Sequence, residues 1–150
     1  MKEFEILIIG GGPAGISAAI ACKGSNVAIL EKNSSLGRKL LITGGGRCNI
    51  TNNKPIKKLL DSYNDKKFLK HSFFTFTNEN LLKLFTDKGL SFKEEDENRI
   101  FPVTEKSRDI LNIFESYLDD VNVILDYKVN KLAKLMIISL LMMKLKPKKL

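Results

Sequence analysis

Apolar positions change rhythm along this chain, and the changes mark its elements. Phe4–Ile9 (FEILII) is a short, isoleucine-rich run that stops at Gly10. Such a run reads as a buried parallel strand. Gly15–Lys23 (GISAAIACK) predicts a helix of small residues, with Gly24 at the C-cap position. Val27–Leu30 (VAIL) predicts a second strand that ends at Glu31. Strand, turn, helix and strand within about 30 residues form the parallel crossover unit.

The rhythm becomes helical in the middle. Lys54–Tyr63, Asp65–Phe74 and Asn78–Lys88 space their apolar residues as helices do, with Asn78 as an N-cap and Gly89 as a stop. Leu90–Lys93 and Arg99–Val103 predict short strands joined by the acidic turn EEDEN. Thr104–Leu118 predicts an amphipathic helix capped by Thr104. Val121–Leu125 and Tyr127–Leu132 predict two last strands. Thr51–Pro55 (TNNKP) is the linker candidate, and no internal repeat is present.

Composition narrows the class. The chain has 150 residues, 43% hydrophobic and 28% charged, as in an ordinary globular protein. Residues 1–9 show no secretory pattern. The apolar run Met136–Met143 is far shorter than the ~20 residues of a membrane span. These features predict a cytoplasmic chain with no transmembrane segment. Cys22 and Cys48 make no disulfide framework and read as reduced thiols. His71, the single histidine, stands without a visible catalytic partner.

The net charge of +8 suggests nucleic acid, but six lysines and no acidic residue lie in residues 131–150. That leaves about +2 for residues 1–130, with both signs mixed along them. A nucleic-acid reader concentrates its charge on a reading surface, so no nucleic-acid partner is predicted.

Chemistry enters with two glycine clusters. Gly10-Gly11-Gly12-Pro13-Ala14-Gly15 satisfies G-x-G-x-x-G, follows a predicted strand and opens a predicted helix. Glu31 follows 21 positions after Gly10. That context makes the motif a dinucleotide-binding fingerprint. Gly10 allows the tight turn, Gly12 lets backbone approach a pyrophosphate, and Gly15 allows close helix–strand packing. The helix N-terminus offers N–H groups to phosphates. Glu31 can accept from ribose hydroxyls and would repel a 2′-phosphate, which favours FAD or NAD over NADP. Arg38 and Lys39 follow, and then Thr43-Gly44-Gly45-Gly46-Arg47 brings bare backbone and another cation. Composition leaves open whether that second loop meets a ligand or is simply flexible.

The stretch EKNSSLGRKLLITGGGRCNITN, together with ENRIFPVTEKSRDIL (Glu97–Leu111), resembles the BaiN-type flavoproteins, the aminoacetone oxidase-like FAD-dependent oxidoreductases. The likeness covers residues 4–132 and departs at Asn98, where that family usually has Gly. There the departure is expected only to stiffen a turn. The resemblance implies an α/β, Rossmann-like FAD-binding βαβ unit over residues 1–53. An inserted helical/β segment over 54–120, the start of a second domain, and return strands over 121–133 complete it. It implies non-covalent FAD. Gly10, Gly12, Pro13, Ala14 and Gly15 would hold the pyrophosphate, and Glu31 the adenosine ribose. Arg38, Lys39, Gly44, Gly45, Gly46, Arg47, Cys48 and Asn49 would line the path toward the flavin. The backbone of Val129 would meet adenine. The family acts on small organic substrates, unsaturated bile-acid intermediates among them, with a reduced nicotinamide donor possible. A redox role for Cys48 is the sharper alternative to a packed thiol, although no resolving partner is visible.

From about Lys134 the composition collapses to Leu, Ile, Met and Lys with single Ser and Pro residues. Residues 134–150 therefore read as an aberrant basic tail, the product of a frameshift or truncation. A membrane-touching amphipathic tail is the rival reading. The expectation is the FAD-binding N-terminal part of a flavin-dependent oxidoreductase, truncated and inactive alone. The alternative is a stand-alone FAD- or NAD-binding module that needs a partner chain.

Overall fold

The computed structural model describes residues 3–133, so the reading of 134–150 lies outside the described residues. The crossover unit forms where the sequence predicts it. Strand β1 (Ile6–Ile9) leads to helix α1 (Pro13–Ala21) and strand β2 (Val27–Leu30). The two strands pair in parallel, Ile6 opposite Val27 and Ile9 opposite Leu30. Strand β6 (Asn122–Ile124) returns to the other edge of β2, also in parallel, giving the order β1-β2-β6. Every residue of β2 is buried, as its central place requires.

A second, antiparallel sheet has the order β3-β5-β4. Its strands are β3 (Thr51–Asn52), β4 (Phe92–Glu95) and β5 (Arg99–Pro102). Thr51–Asn52 is thus a strand paired with Ile100 and Arg99, not only a linker. The polar TNN stretch hides this because its strand character comes from its partner, not from its own pattern. In the turn linking β4 and β5, Glu97 and Asn98 take φ of 62° and 60°. Asn tolerates this left-handed region better than most residues, and Asn98 Nδ2 donates to Glu94. Asn98 therefore keeps the backbone shape a glycine would give.

Four helices complete the fold: α2 (Ile56–Leu60), α3 (Lys66–Thr75), α4 (Asn78–Thr86) and α5 (Ser107–Glu115). Two caps differ from expectation. Thr77, not Asn78, caps α4, in a reciprocal box with Asn80. Asn78 instead donates from its side chain to the carbonyls of Asn52 and Lys54. Helix α5 starts at Ser107, not Thr104, because Glu105 sits at φ 54° and interrupts the turn before it.

One hydrophobic core joins the segments. Ile16 and Ala19 of α1, Val27 and Ile29 of β2, Phe85 of α4, and Ile110, Leu111 and Phe114 of α5 all belong to it. Phe85 stacks edge-on against both Phe92 and Phe114. The Tyr117 hydroxyl donates to the Leu84 carbonyl and ties the end of α5 to α4. The apolar stripe of α5 thus meets α1 directly, and residues 54–120 share their core with the first βαβ unit.

The second predicted return strand, Tyr127–Leu132, does not form. Asp126 adopts φ 54° and bends the chain away from an extended path. Asp126 N then donates to the Asn33 carbonyl and Tyr127 N to the Glu31 carbonyl. Those bonds fold residues 126–129 over the end of β2.

Candidate functional site

The end of β1, the start of α1 and the end of β2 meet at one cavity of about 450 Å³. Gly10, Gly12 and Pro13 form one wall. Glu31, Arg38, Lys39 and the chain at Val129 form the rest. Seven of the residues singled out from the sequence therefore share one space. Ala14 and Gly15 stand in the first turn of α1 behind that wall.

Local chemistry explains the wall. Gly12 is the N-cap of α1 and no side chain caps it. The first N–H groups of a helix have no partner within it, so they are available to a ligand. Pro13 at the first position loses nothing by lacking one. A Cβ on Gly12 would meet nothing within 4 Å, so the space before it is open. Gly15 is glycine for another reason: a Cβ there would stand 1.9 Å from the Gly10 carbonyl. The helix can lie this close to the turn only without a side chain at that position.

Glu31 is buried, at 8% exposure, and its carboxylate is held on both oxygens. Oε2 accepts from Gly11 N at 2.7 Å. Oε1 accepts from Asn33 N at 2.9 Å and from Asn33 Nδ2. Burial pushes this carboxyl up, but the hydrogen bonds from Gly11 and Asn33, with nearby Lys32, outweigh it and hold it below its ordinary value of 4.5. A carboxylate has about four acceptor positions, and three are filled. The remaining one, on Oε2, can accept from a hydroxyl group.

The second glycine cluster is built differently. Within the tight helical segment Leu40–Gly46, Thr43 is extended and Gly44 and Gly45 have φ of 55° and 66°. A Cβ on Gly44 would fall 2.8 Å from Asn49 N and 3.1 Å from the Phe101 ring. The turn packs against β5, and Gly44, Gly45 and Gly46 do not line the cavity beside Glu31. Arg47 lies over the Phe101 ring at 4.3 Å and donates to Glu95 at 2.8 Å. Glu105 stands 3.5 Å from the same Arg47 nitrogen, and Lys93 joins both carboxylates. Cys48 is buried at φ 63°, and burial raises its thiol pKa. Asn49 lines a separate cavity of about 330 Å³, together with Tyr63, Phe73 and Phe76.

Two participants escaped the sequence reading, Asn33 and the backbone N–H of Gly11. The signal for Asn33 was its place: an asparagine two residues past an acidic strand end favours a local side-chain-to-backbone turn. Nothing in the sequence distinguishes Gly11 from its neighbours. Among the described residues no cluster of potential metal ligands occurs, and no helix is long and apolar enough to cross a membrane.

The chain is 31% identical over 117 residues to a ribosomal RNA dihydrouridine synthase of Haemophilus influenzae, covering 77% of the chain and 29% of that protein. It is 35% identical over 118 residues to a 3-dehydro-bile acid delta(4,6)-reductase of Clostridium scindens, covering 76% and 28%. The chain thus spans less than a third of the length of these relatives. A solved structure, Thermovibrio ammonificans THI4, covers 81% of the chain at 18% identity and a TM-score of 0.45. The family model for the HI0933-like protein Rossmann domain matches residues 4–141, and the chain belongs to that family.

Proposed function

We propose that this chain is the FAD-binding part of a flavin-dependent oxidoreductase acting on a small, unsaturated organic substrate. The observation that carries the reading is the cavity in which an uncapped helix N-terminus faces a buried, ionised Glu31. Phosphate and ribose are the two groups such a pair suits.

The residues present fit that cofactor. The open side of Gly12 admits backbone to a pyrophosphate, and the N–H groups of the first turn of α1 would donate to it. Glu31 would accept from a ribose hydroxyl at its free Oε2 position. Lys39 and Lys32, both exposed on the rim, would balance phosphate charge. Val129 also lines the cavity, and an adenine would rest against it. When bound, FAD supplies the two-electron chemistry. One relative is named as a ribosomal RNA dihydrouridine synthase and the other as a 3-dehydro-bile acid delta(4,6)-reductase, names that support reduction as the reaction class.

Among the described residues one face of the parallel sheet stands partly open, which supports a need for further polypeptide surface during turnover. Leu7 and Ile9 stand about half exposed there, at 48% and 51%. Parallel sheets ordinarily cover both faces.

Purification of the 150-residue chain with excess FAD tests the reading. A retained flavin spectrum, lost in Glu31→Ala, supports it. A folded chain that takes up no FAD at any concentration overturns it.

A further inference from the structure

The cavity of about 330 Å³ that Asn49 lines is walled by β3 and by residues of α2, α3 and α4. Its volume falls in the ~300–1,000 Å³ range of small-molecule sites. It shares no lining residue with the cavity beside Glu31.

Charge sets the two cavities apart. Six lysines lie between Lys54 and Lys70, the stretch that holds α2 and the start of α3. None of them lines this cavity, and neither does any acid, arginine or histidine. An ion entering it would leave water without meeting an opposite charge, which is costly. The lining therefore selects an uncharged ligand.

The walls narrow the ligand further. Leu59 of α2, Phe73 of α3 and Leu81 of α4 bring apolar surface. The rings of Tyr63 and Phe73 meet edge-on at 5.1 Å, which braces an aromatic wall. Tyr63 and Phe76 are 45% and 54% exposed, so a ring laid against them removes apolar surface from water. Polar groups stand among these. Asn78 Nδ2 donates to the carbonyls of Asn52 and Lys54, which holds the side chain and leaves Oδ1 without a partner among the described residues. Asn49, oriented by its neighbours, donates from Nδ2 to the Thr51 carbonyl at 2.9 Å, and its Oδ1 is left to accept. The Tyr63 hydroxyl can donate or accept. Two held acceptors and a hydroxyl suit a ligand that carries an N–H donor and a carbonyl.

We propose that this cavity is a second ligand site, for an uncharged, flat ring compound with an amide-like edge. The ring would lie against Leu59, Phe73 and Leu81, with its edge toward Asn49, Asn78 and Tyr63. Binding here does not depend on the dinucleotide reading; on that reading the occupant is the substrate.

The test follows backbone amide resonances of the isotope-labelled full chain during titration with naphthalene-2-carboxamide, naphthalene-2-carboxylate and naphthalene. The carboxamide should cause saturable shifts at Asn49, Thr51, Leu59 and Leu81 and none at Gly10, Gly11 or Gly12. It should bind at least ~10-fold more tightly than the carboxylate, which would lose water without gaining a counter-charge. Tyr63→Phe should weaken the carboxamide ~3–10-fold, the scale of one hydrogen bond, and leave naphthalene unchanged. Leu81→Trp fills the space and should abolish the shifts, and Leu59→Phe serves if that variant fails to fold. A carboxylate that binds as tightly as the carboxamide overturns the proposal, because the outlying lysines would then govern the site. A folded parent with no saturable shift at the lining residues overturns it too. FAD added in a separate titration reports on the first cavity. FAD binding without carboxamide binding defeats this proposal and leaves the cofactor reading intact, and the converse defeats the cofactor reading alone.

Discussion

The two glycine clusters use the same residue for opposite purposes. In Gly10–Gly15 the backbone at Gly10 and Gly12 is bare on the side of an open cavity that Glu31 also lines. In Gly44–Gly46 all three residues take a left-handed φ, and at Gly44 the packed turn also leaves no room for a side chain. The neighbours decide which case holds. The first cluster joins β1 to the N-terminus of α1, whose first N–H groups lack partners within the helix. The second joins a short helical turn to β3 and lies under Phe101, and its following cation is tied to Glu95. A glycine run therefore reports a demand on the backbone. Whether a ligand or the protein itself makes that demand is settled by what stands across from it.

Substitution separates the two cases. Gly15→Val should do the most damage, since even a Cβ would lie 1.9 Å from a backbone carbonyl that cannot move freely. Overpacking of this kind costs ~3 kcal/mol or more, and we expect the cooperative thermal transition to disappear. Gly44→Ala combines a left-handed φ with a 2.8 Å approach to Asn49 N and should lower stability by ~1–3 kcal/mol in a denaturant titration. Gly12→Ala should behave differently. Its φ of −82° suits any residue and the space before it is empty, so folding should change by less than ~1 kcal/mol. FAD binding should nevertheless weaken at least ~10-fold, because the new methyl group stands where the pyrophosphate must approach. A Gly12→Ala variant that unfolds while Gly44→Ala stays stable would reverse the contrast.

Much of this was legible in the sequence because it rests on short-range pattern. The run FEILII, the stop at Gly10 and the acidic Glu31 give the βαβ unit and its ligand end without any tertiary information. What the sequence hid depends on partners distant in the chain. Thr51–Asn52 becomes a strand only because β5 offers an edge. Tyr127–Leu132 alternates like a strand, yet bonds to Glu31 and Asn33 draw its first residues across the end of β2. The fate of Arg47 was equally invisible, since its partner Glu95 lies 48 residues away. The Gly11 N–H is a backbone atom, and no side-chain pattern announces its bond to Glu31.

Glu31 sharpens the comparison from the side of the first cluster. Glu31→Gln places an amide where Gly11 and Asn33 both donate, so at least one buried donor loses its acceptor. Such a loss costs ~1–3 kcal/mol. The carboxyl is held below 4.5 in the folded chain, so the stability from its ionisation is fully present above that value. It is lost as the pH falls through the lowered folded value. The melting difference between parent and Glu31→Gln should therefore be constant near neutrality and shrink on acidification below about 4.5. A difference that grows with acid would show that Glu31 is not ionised in the folded protein.

The smallest effect belongs to the second cluster, at Cys48. Its thiol is 2% exposed and sits among the packed residues of the core, and burial raises its pKa. Reactivity requires the thiolate and access to it, and Cys48 has neither. Cys22 lies at the end of α1, free and partly exposed. Iodoacetamide applied to the native chain at pH 7.5 should therefore modify Cys22 and spare Cys48, with both labelled once the chain is unfolded in guanidinium. Mass mapping of the labelled peptides reads the result directly. Rapid labelling of Cys48 in the folded chain would mean that the turn opens readily. In that event the second glycine cluster would not be the packed scaffold that sets it apart from the first.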